Sequence, residues 1–268
     1  MGLAGNTWLV EVLGGRPVAF AMLFWGRSCQ GESSVFVHAE HRDRGLEEAL
    51  FEALEARARE LSGEGSAGSP CSESPRLHIT CLDSRSTSRG WLEDHGYVIV
   101  RESFEMGIEL GAESVPSSSL PEGLRLSTFD PTHDEASVFS AQEEAFADGF
   151  LFEPSTLEEW RRHRTEPFDF DPALWLIAWD GGEVAGESLT VVTPEQAYVA
   201  SLTVRGPWRG KGLGLALLTR AFELAREKGH SRVWLGVDAQ NATGALALYL
   251  KAGMHVERRY VVYVRDLR

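Results

Sequence analysis

Lysine is scarce in this chain, with three residues against 23 arginines, and its 26 basic side chains face 40 acidic ones, for a formal charge of minus 14. A nucleic-acid-binding role is excluded, because a polyanion needs a basic stripe to displace its counterions and no segment concentrates one. Long apolar runs are also missing. The longest, Val18 to Trp25, spans eight residues, under half of what a membrane-spanning helix takes, so no membrane association is expected. Met1 to Val10 lacks the basic start and apolar stretch of a secretory signal, which points to a reducing cytoplasm. Cysteine is limited to Cys29, Cys71 and Cys81. An odd number without Cys-x-x-Cys spacing or paired histidines predicts neither a structural disulfide nor a metal site. What the chain does have is 268 residues at 43% hydrophobic content. That excludes disorder as the dominant state and suffices for one large or two modest domains.

A duplicated unit reveals the domain plan before any propensity argument is needed. At an offset of 167, residues 37–60 lie over residues 204–227 without a gap, and nine of the 24 positions are identical. The same offset sets Trp8-Leu9 over Trp175-Leu176 and Gly14-Gly15 over Gly181-Gly182. Residues 111–123 (GAESVPSSSLPEG) have the Ser, Pro and Gly content of a connector. The plan is therefore a first copy at 1–110, a linker at 111–123 and a second copy at 124–268. Ser62 to Pro75 reads as a surface loop inserted in the first copy.

Within the second copy, Leu174 to Trp179 and Val184 to Val192 flank a hairpin signal at Asp180-Gly181-Gly182, and Ala197 to Val204 reads as a third strand. Apolar residues recur at three- and four-residue intervals from Leu213 to Lys228, the pattern of an amphipathic helix. Arg232 to Val237 is a strand, Asn241 a helix N-cap, and Val256 to Val264 a last strand. Thr132 to Ala147 and Thr156 to His163 read as helices ahead of the hairpin. The fold class is α/β: two tandem units, each a mixed sheet flanked by helices. The first starts directly at its hairpin, without the opening strand and helix pair.

Arg209-Gly210-Lys211-Gly212-Leu213-Gly214 sits between a strand and the amphipathic helix. Glycines let backbone N–H groups converge, and a helix start adds unpaired donors and partial positive charge, a site suited to a diphosphate. A Walker loop needs Ser or Thr after Gly-Lys, and a dinucleotide fingerprint needs Gly or Ala at Leu215, so ATP and NAD are disfavoured. A tight glycine turn without ligand fits the same spacing.

Together with Leu202-Thr203-Val204 before it and Asp238-Ala239-Gln240-Asn241 and Tyr249 after it, this loop resembles the acetyl-CoA site of the GNAT superfamily of N-acetyltransferases. The tandem arrangement is similar to that of mycothiol synthase and its relatives. The resemblance covers 124–268 as a complete domain and 7–110 as a truncated, degenerate one. It implies acetyl-CoA as co-substrate, with its pantetheine arm along Leu202, Thr203 and Val204, its pyrophosphate on Arg209, Gly210, Lys211, Gly212, Leu213 and Gly214, and Asn241 reaching the arm. Tyr249 would protonate the leaving thiolate, although read alone it fits a packed helix aromatic. The carboxylate that many relatives carry on the fourth strand is replaced by Tyr198. Glu187 on the preceding strand is the candidate substitute base if it faces the cleft, with water alone as the alternative, and Asp148 or Glu153 would hold a cationic acceptor; read alone, each fits a solvated surface carboxylate. The implied activity is acetyl transfer to a primary amine of a small molecule. The alternative is a protein that binds or senses acyl-CoA without catalysis.

In the first copy the loop reads Arg42-Asp43-Arg44-Gly45-Leu46-Glu47, and Leu92 occupies the position of Tyr249. A carboxylate about 4 Å from a phosphate opposes it by about 1 kcal/mol in water and about 4 kcal/mol at an effective dielectric near 20. No cofactor is expected there.

Overall fold

The computed structural model of the chain describes residues 5–64, 74–111, 118–167, 169–241 and 243–267. In chain order the elements are β1 (Thr7–Glu11), β2 (Pro17–Trp25), β3 (Gln30–Val37), α1 (Leu46–Glu64), β4 (Arg76–Leu82), α2 (Ser86–Asp94), β5 (Val98–Glu109), β6 (Leu124–Thr128), α3 (Glu135–Phe146), α4 (Leu157–Arg164), β7 (Trp175–Asp180), β8 (Glu183–Val192), β9 (Ala197–Val204), α5 (Leu213–Glu227), β10 (Arg232–Asp238), α6 (Ala245–Lys251) and β11 (His255–Asp266). Short 3-10 turns follow β3 at Ala39–His41 and β9 at Gly206–Trp208. The chain forms two compact units. The first holds residues 1–103, 238–240 and 258–268, the second residues 104–237 and 241–257.

In the first unit the strands run in the order β1-β2-β3-β4-β11. Alternate residues of β2 point inward, and α1 supplies Leu50, Phe51, Leu54, Ala58 and Leu61 at helical spacing to cover them. Glu55 on the same helix is buried. Its carboxylate accepts from the Tyr97 hydroxyl at 2.8 Å, Arg59 at 2.9 Å and Arg265 at 2.8 Å, which compensates the cost of burying its charge.

In the second unit the order is β5-β10-β9-β8-β7-β6. One face of the sheet packs on α5 through Leu218, Ala221 and Phe222, joined by Tyr249 from α6. The other packs on α3 and α4 through Val138, Ala141, Trp160 and Trp175, with Phe129 stacked 4.5 Å from Trp175. A capping box at Thr156 and Glu159 starts α4. Among the described residues, the first unit has no element corresponding to β6, α3 or α4.

Two expectations are corrected. Asn241 is not the cap of α6: that helix begins after Gly244 in the left-handed region at φ 78°. The Asn241 side chain instead accepts from the Thr243 backbone N–H at 2.8 Å and from its hydroxyl, a local turn that outcompetes the helix. Cys29 is disulfide-bonded, against the expectation of reduced thiols, while Cys81 is free and buried. Spacing rules test only pairs close in sequence. Cys71, most of the inserted loop and residues 112–117 of the linker lie outside the described residues. Among those described, no helix is long and apolar enough to cross a membrane, and no cluster of metal-binding side chains occurs.

The compact units do not follow a cut at 111–123. Strands β5 and β11 are each twelve residues long and bury only their C-terminal halves. Met106, Ile108 and Leu110 of the first copy enter the core of the second unit. Val261, Tyr263 and Leu267 of the second copy enter the core of the first, where β11 pairs with β4 from Tyr260↔Leu82 to Asp266↔Arg76. Each copy thus completes the sheet of the other. Deleting residues 258–268 removes three buried side chains, each worth about 1.5–3 kcal/mol, from a fold whose whole margin is about 5–15 kcal/mol. Hydrogen exchange on the truncated protein should show protection lost in β2, β3 and α1, at the far end of the sequence. Loss confined to α5 and β8 would contradict the exchange.

Candidate active site

The loop after β9 is shaped by two glycines at positive φ, Gly210 at 72° and Gly212 at 90°, the latter immediately before α5. Arg209 is tied back by its Nε, which donates to the Val204 carbonyl at 2.8 Å. Leu213 turns its side chain into the core, so only its N–H faces the loop. Gly214 lacks a side chain for a packing reason: a Cβ there would lie 3.0 Å from Leu248 of α6. The first ordinary helical bond is Ala216 N–H to Gly212 C=O at 3.1 Å. From Gly210 to Leu215, no backbone or side-chain acceptor meets the six N–H groups among the described residues. With exposed Arg209 and Lys211 beside them, they form a cradle that fits a diphosphate.

Beside the cradle the sheet is open. Strands β9 and β10 share a single parallel bridge, Tyr198↔Trp234, so Leu202, Thr203 and Val204 pair only with β8. Their second flank is available to an extended ligand carrying amide groups. On β9 the register shifts between Leu189↔Ser201 and Thr190↔Val199. Ala200 is therefore an extra residue, exposed at the edge of the gap. The bulge also resets the alternation, sending Val199 and Leu202 to the α5 face and Ser201 and Thr203 to the α3 face.

Glu187 stands on that α3 face, fully buried. Its Oε1 accepts from Ser201 Oγ at 2.7 Å, Thr203 Oγ1 at 3.1 Å and Gln142 Nε2 at 3.1 Å, and its Oε2 from Trp175 Nε1 at 2.7 Å. No cation is among these partners. Tyr249 is buried on α6. Burial, with the nearby Glu187 charge as a second cause, pushes its phenol up to about 12. Tyr198, at the position expected for a strand-four carboxylate, stacks on Trp234 at 4.9 Å. Asp148 is exposed and Glu153 half-buried in the loop between α3 and α4.

Comparison with known proteins follows this geometry. The model of the acetyltransferase (GNAT) family matches residues 136–254, a span that holds every expected site residue. A protein of Thermomonospora curvata named mycothiol acetyltransferase is 31% identical over 242 residues, covering 89% of this chain and 73% of that one. One of the same name from Streptomyces coelicolor is 29% identical, covering 95% and 78%. The crystal structure of a GCN5-related N-acetyltransferase from Sphaerobacter thermophilus aligns with a TM-score of 0.81 at 34% identity, covering 100% of this chain and 82% of that one. A tandem GNAT protein from the clavulanic acid biosynthesis pathway shares the fold at 18% identity and a TM-score of 0.69, covering 98% and 82%.

The chain belongs to the GNAT family of acetyltransferases. It is an acyl-CoA-dependent N-acetyltransferase of the tandem type.

The first unit of this GNAT protein keeps the backbone of the corresponding loop and carries different side chains on it. Arg42 Nε donates to Val37 C=O at 3.3 Å, as Arg209 does to Val204. Gly45 holds φ 78° where Gly212 holds 90°, and Asp43 is driven to φ 55° where Gly210 holds 72°. Glu47, at the position of Gly214, is buried and ion-paired with Arg85, the residue before α2. Strands β3 and β4 stay laddered over five pairs, Gln30↔Arg76 to Ser34↔Thr80, where β9 and β10 share one. Leu92 C=O receives Tyr97 N–H at 3.0 Å just as Tyr249 C=O receives Met254 N–H at 3.0 Å, so Leu92 takes the place of Tyr249. The cross-strand pair Phe20↔Phe36 replaces Glu187↔Thr203, its rings stacked at 6.5 Å.

The sequence reading missed Gln142, Trp175, Ser201 and the bulge at Ala200. It also missed Gly186, where a Cβ would lie 2.6 Å from the Thr203 carbonyl and 3.3 Å from Leu217. The Phe20 replacement was within reach, because the 167-residue offset carries Glu187 onto it. Both loops place glycine at positive φ, so glycine substitutions mix strain with binding. Lys211→Glu and Arg44→Glu, at equivalent exposed positions, avoid this. Calorimetry with acetyl-CoA should show the first weakening binding by roughly tenfold or more, from charge reversal beside a phosphate, and the second leaving it within about twofold. Equal losses would assign the ligand to both units.

Proposed function

We propose that the second unit is the catalytic one and transfers the acetyl group of acetyl-CoA to a primary amine of a small molecule. The run of six unpartnered N–H groups from Gly210 to Leu215, beside the open flank of β9, carries this reading. The diphosphate of the co-substrate lies on those N–H groups with Arg209 and Lys211 against its charge. The pantetheine amides complete the backbone bonding of Leu202, Thr203 and Val204. Asn241, whose carbonyl oxygen is engaged by Thr243, offers its amide N–H to the arm. The name shared by the actinobacterial relatives supports a small-molecule amine as acceptor. A net charge of minus 14 favours a cationic metabolite or aminosugar through long-range attraction.

The reaction forms one C–N bond and breaks one C–S bond. The amine nitrogen attacks the thioester carbonyl, its surplus proton passes toward Glu187, and the departing thiolate is protonated from Tyr249. With its phenol near 12, Tyr249 stays protonated throughout the neutral range. Handing that proton to a free thiolate of ordinary pKa, about 8.5, is uphill by about 5 kcal/mol. The Glu187 charge is one cause of that gap. Once Glu187 has taken the amine's proton, this cause disappears and the phenol becomes a better acid, just as the thiolate forms. The buried Glu187 cluster at the gap favours catalysis over acyl-CoA sensing.

Calorimetric titration with acetyl-CoA, followed by an amine panel monitored for free thiol, tests the reading. Tyr249→Phe and Glu187→Gln should each lower kcat by roughly 100-fold or more while the acetyl-CoA Kd stays within about twofold. For the wild type, the phenol should impose no alkaline fall in kcat up to about pH 10, since its ionisation lies higher. Tight acetyl-CoA binding with no turnover of any amine would overturn catalysis by this site.

A further inference from the structure

Glu187 has no exposed surface, and every contact to its carboxylate comes from a donor of the protein itself. A base so enclosed cannot touch an incoming ammonium directly. Something must carry the proton across the last few ångströms. The candidates are the groups already bonded to it, and they differ in chemistry. Trp175 is a donor only, with no lone pair to receive a proton. The Gln142 amide nitrogen also lacks one. Only the hydroxyls of Ser201 and Thr203 can accept one proton while releasing another.

The hydrogen-bond chain has a fixed direction. Trp160 Nε1, again donor-only, is 2.7 Å from Gln142 Oε1, which forces the Gln142 amide to turn its NH2 the other way. That NH2 reaches Glu187 Oε1 at 3.1 Å and Ser201 Oγ at 3.4 Å. Because Ser201 Oγ accepts from Gln142, its single hydrogen points at Glu187 Oε1, 2.7 Å away. Thr203 Oγ1 has a longer bond, 3.1 Å, and no contact with Gln142. Ser201 is also next to Ala200, the exposed bulge at the edge of the gap.

We propose that Ser201 is the proton relay between the acceptor amine and Glu187, with Gln142, oriented by Trp160, as the positioning residue that sets its direction. This rests on the reading of Glu187 as the base. In the step, the ammonium gives its proton to a lone pair of Ser201 Oγ as the Ser201 hydroxyl hydrogen moves to Glu187 Oε1. The amine leaves neutral and nucleophilic, Ser201 ends as a neutral hydroxyl, and Glu187 ends as a neutral acid. The second proton, lost from nitrogen on attack, replaces the one Tyr249 gives to the thiolate, and the reverse transfer from Glu187 to water after product release restores the cluster.

The test uses the full chain, acetyl-CoA and the primary amine turned over fastest in the panel, with kcat measured against pH for wild type, Ser201→Ala, Gln142→Met and Glu187→Gln. A relay matters only while the amine is protonated. The Ser201→Ala defect should therefore be about 100-fold well below the amine's pKa and shrink toward unity above it. Gln142→Met should show the same pH dependence at roughly tenfold, with KM for acetyl-CoA unchanged for both. Thr203→Val, which removes a hydrogen bond but no relay, should lower kcat by one factor at all pH values. A Ser201→Ala loss that is constant with pH would reduce Ser201 to a structural partner and overturn the relay. If Glu187→Gln abolishes the low-pH rate while Ser201→Ala leaves it intact, the relay fails and the base stands. If Glu187→Gln is fully active, or the wild type acetylates no amine, the base reading fails and the relay falls with it.

Discussion

A parallel strand pair that stops bonding after one bridge is the constraint on which the rest of the second unit depends. Peptide groups in a sheet interior carry an obligatory demand for hydrogen bonds, and β9 meets that demand on one side only beyond Tyr198↔Trp234. The neighbouring elements accommodate the opening. Gly186 lets the β9 backbone and α5 approach β8, and Gly214 lets α6 approach α5. The bulge at Ala200 turns Ser201 and Thr203 toward Glu187 while Leu202 stays in the opposite core. The loop that follows then ends in unpartnered N–H groups next to the unpaired flank. One failure of sheet pairing thus produces both a groove and its charged end.

The duplicated unit shows the converse. Its loop kept a backbone shape that only glycine adopts freely, yet one position is now Asp43 at φ 55°. Such a residue strains the chain by about 1–3 kcal/mol unless its surroundings hold it, and the Thr87 hydroxyl does so by donating to Asp43 at 3.1 Å. Glu47 places a carboxylate at the helix start, where a phosphate would otherwise lie, and Arg85 neutralises it. With β3 and β4 laddered, that flank of β3 is bonded within the sheet. The two copies therefore share a turn geometry and differ in the charge and hydrogen bonding at the helix start.

Much of this was legible in the sequence, and what was not has a physical reason. The 167-residue offset exposed the duplication because the loop and helix it aligns are constrained by glycine geometry and helical periodicity, both local. Strand β9 was placed with its observed bounds, since β-branched and apolar residues alternate there. The exchange of β5 and β11 was hidden because pairing partners are non-local: a strand whose C-terminal half alone is buried looks like any other in its hydrophobic pattern. Glu187 was singled out as a candidate, but its partners Gln142, Trp175 and Ser201 come from three elements that no spacing rule connects. The left-handed Gly244 was overlooked in favour of Asn241, because both residue types end turns and only the backbone angle decides between them.

The exchange of final strands makes the packing of each copy depend on the other. Val261, Tyr263 and Leu267 lie on or just after the strand that follows α6, and their apolar faces find cover beside Leu77, Ile79 and Leu92 of the first unit. Tyr263 also receives the Arg89 guanidinium at 3.1 Å and donates to Glu93 at 2.7 Å. In the opposite sense, Met106 and Ile108 lie in the cluster that contains Tyr249, Val233 and Leu235. Removing the first copy would therefore strip packing from around the expected proton donor.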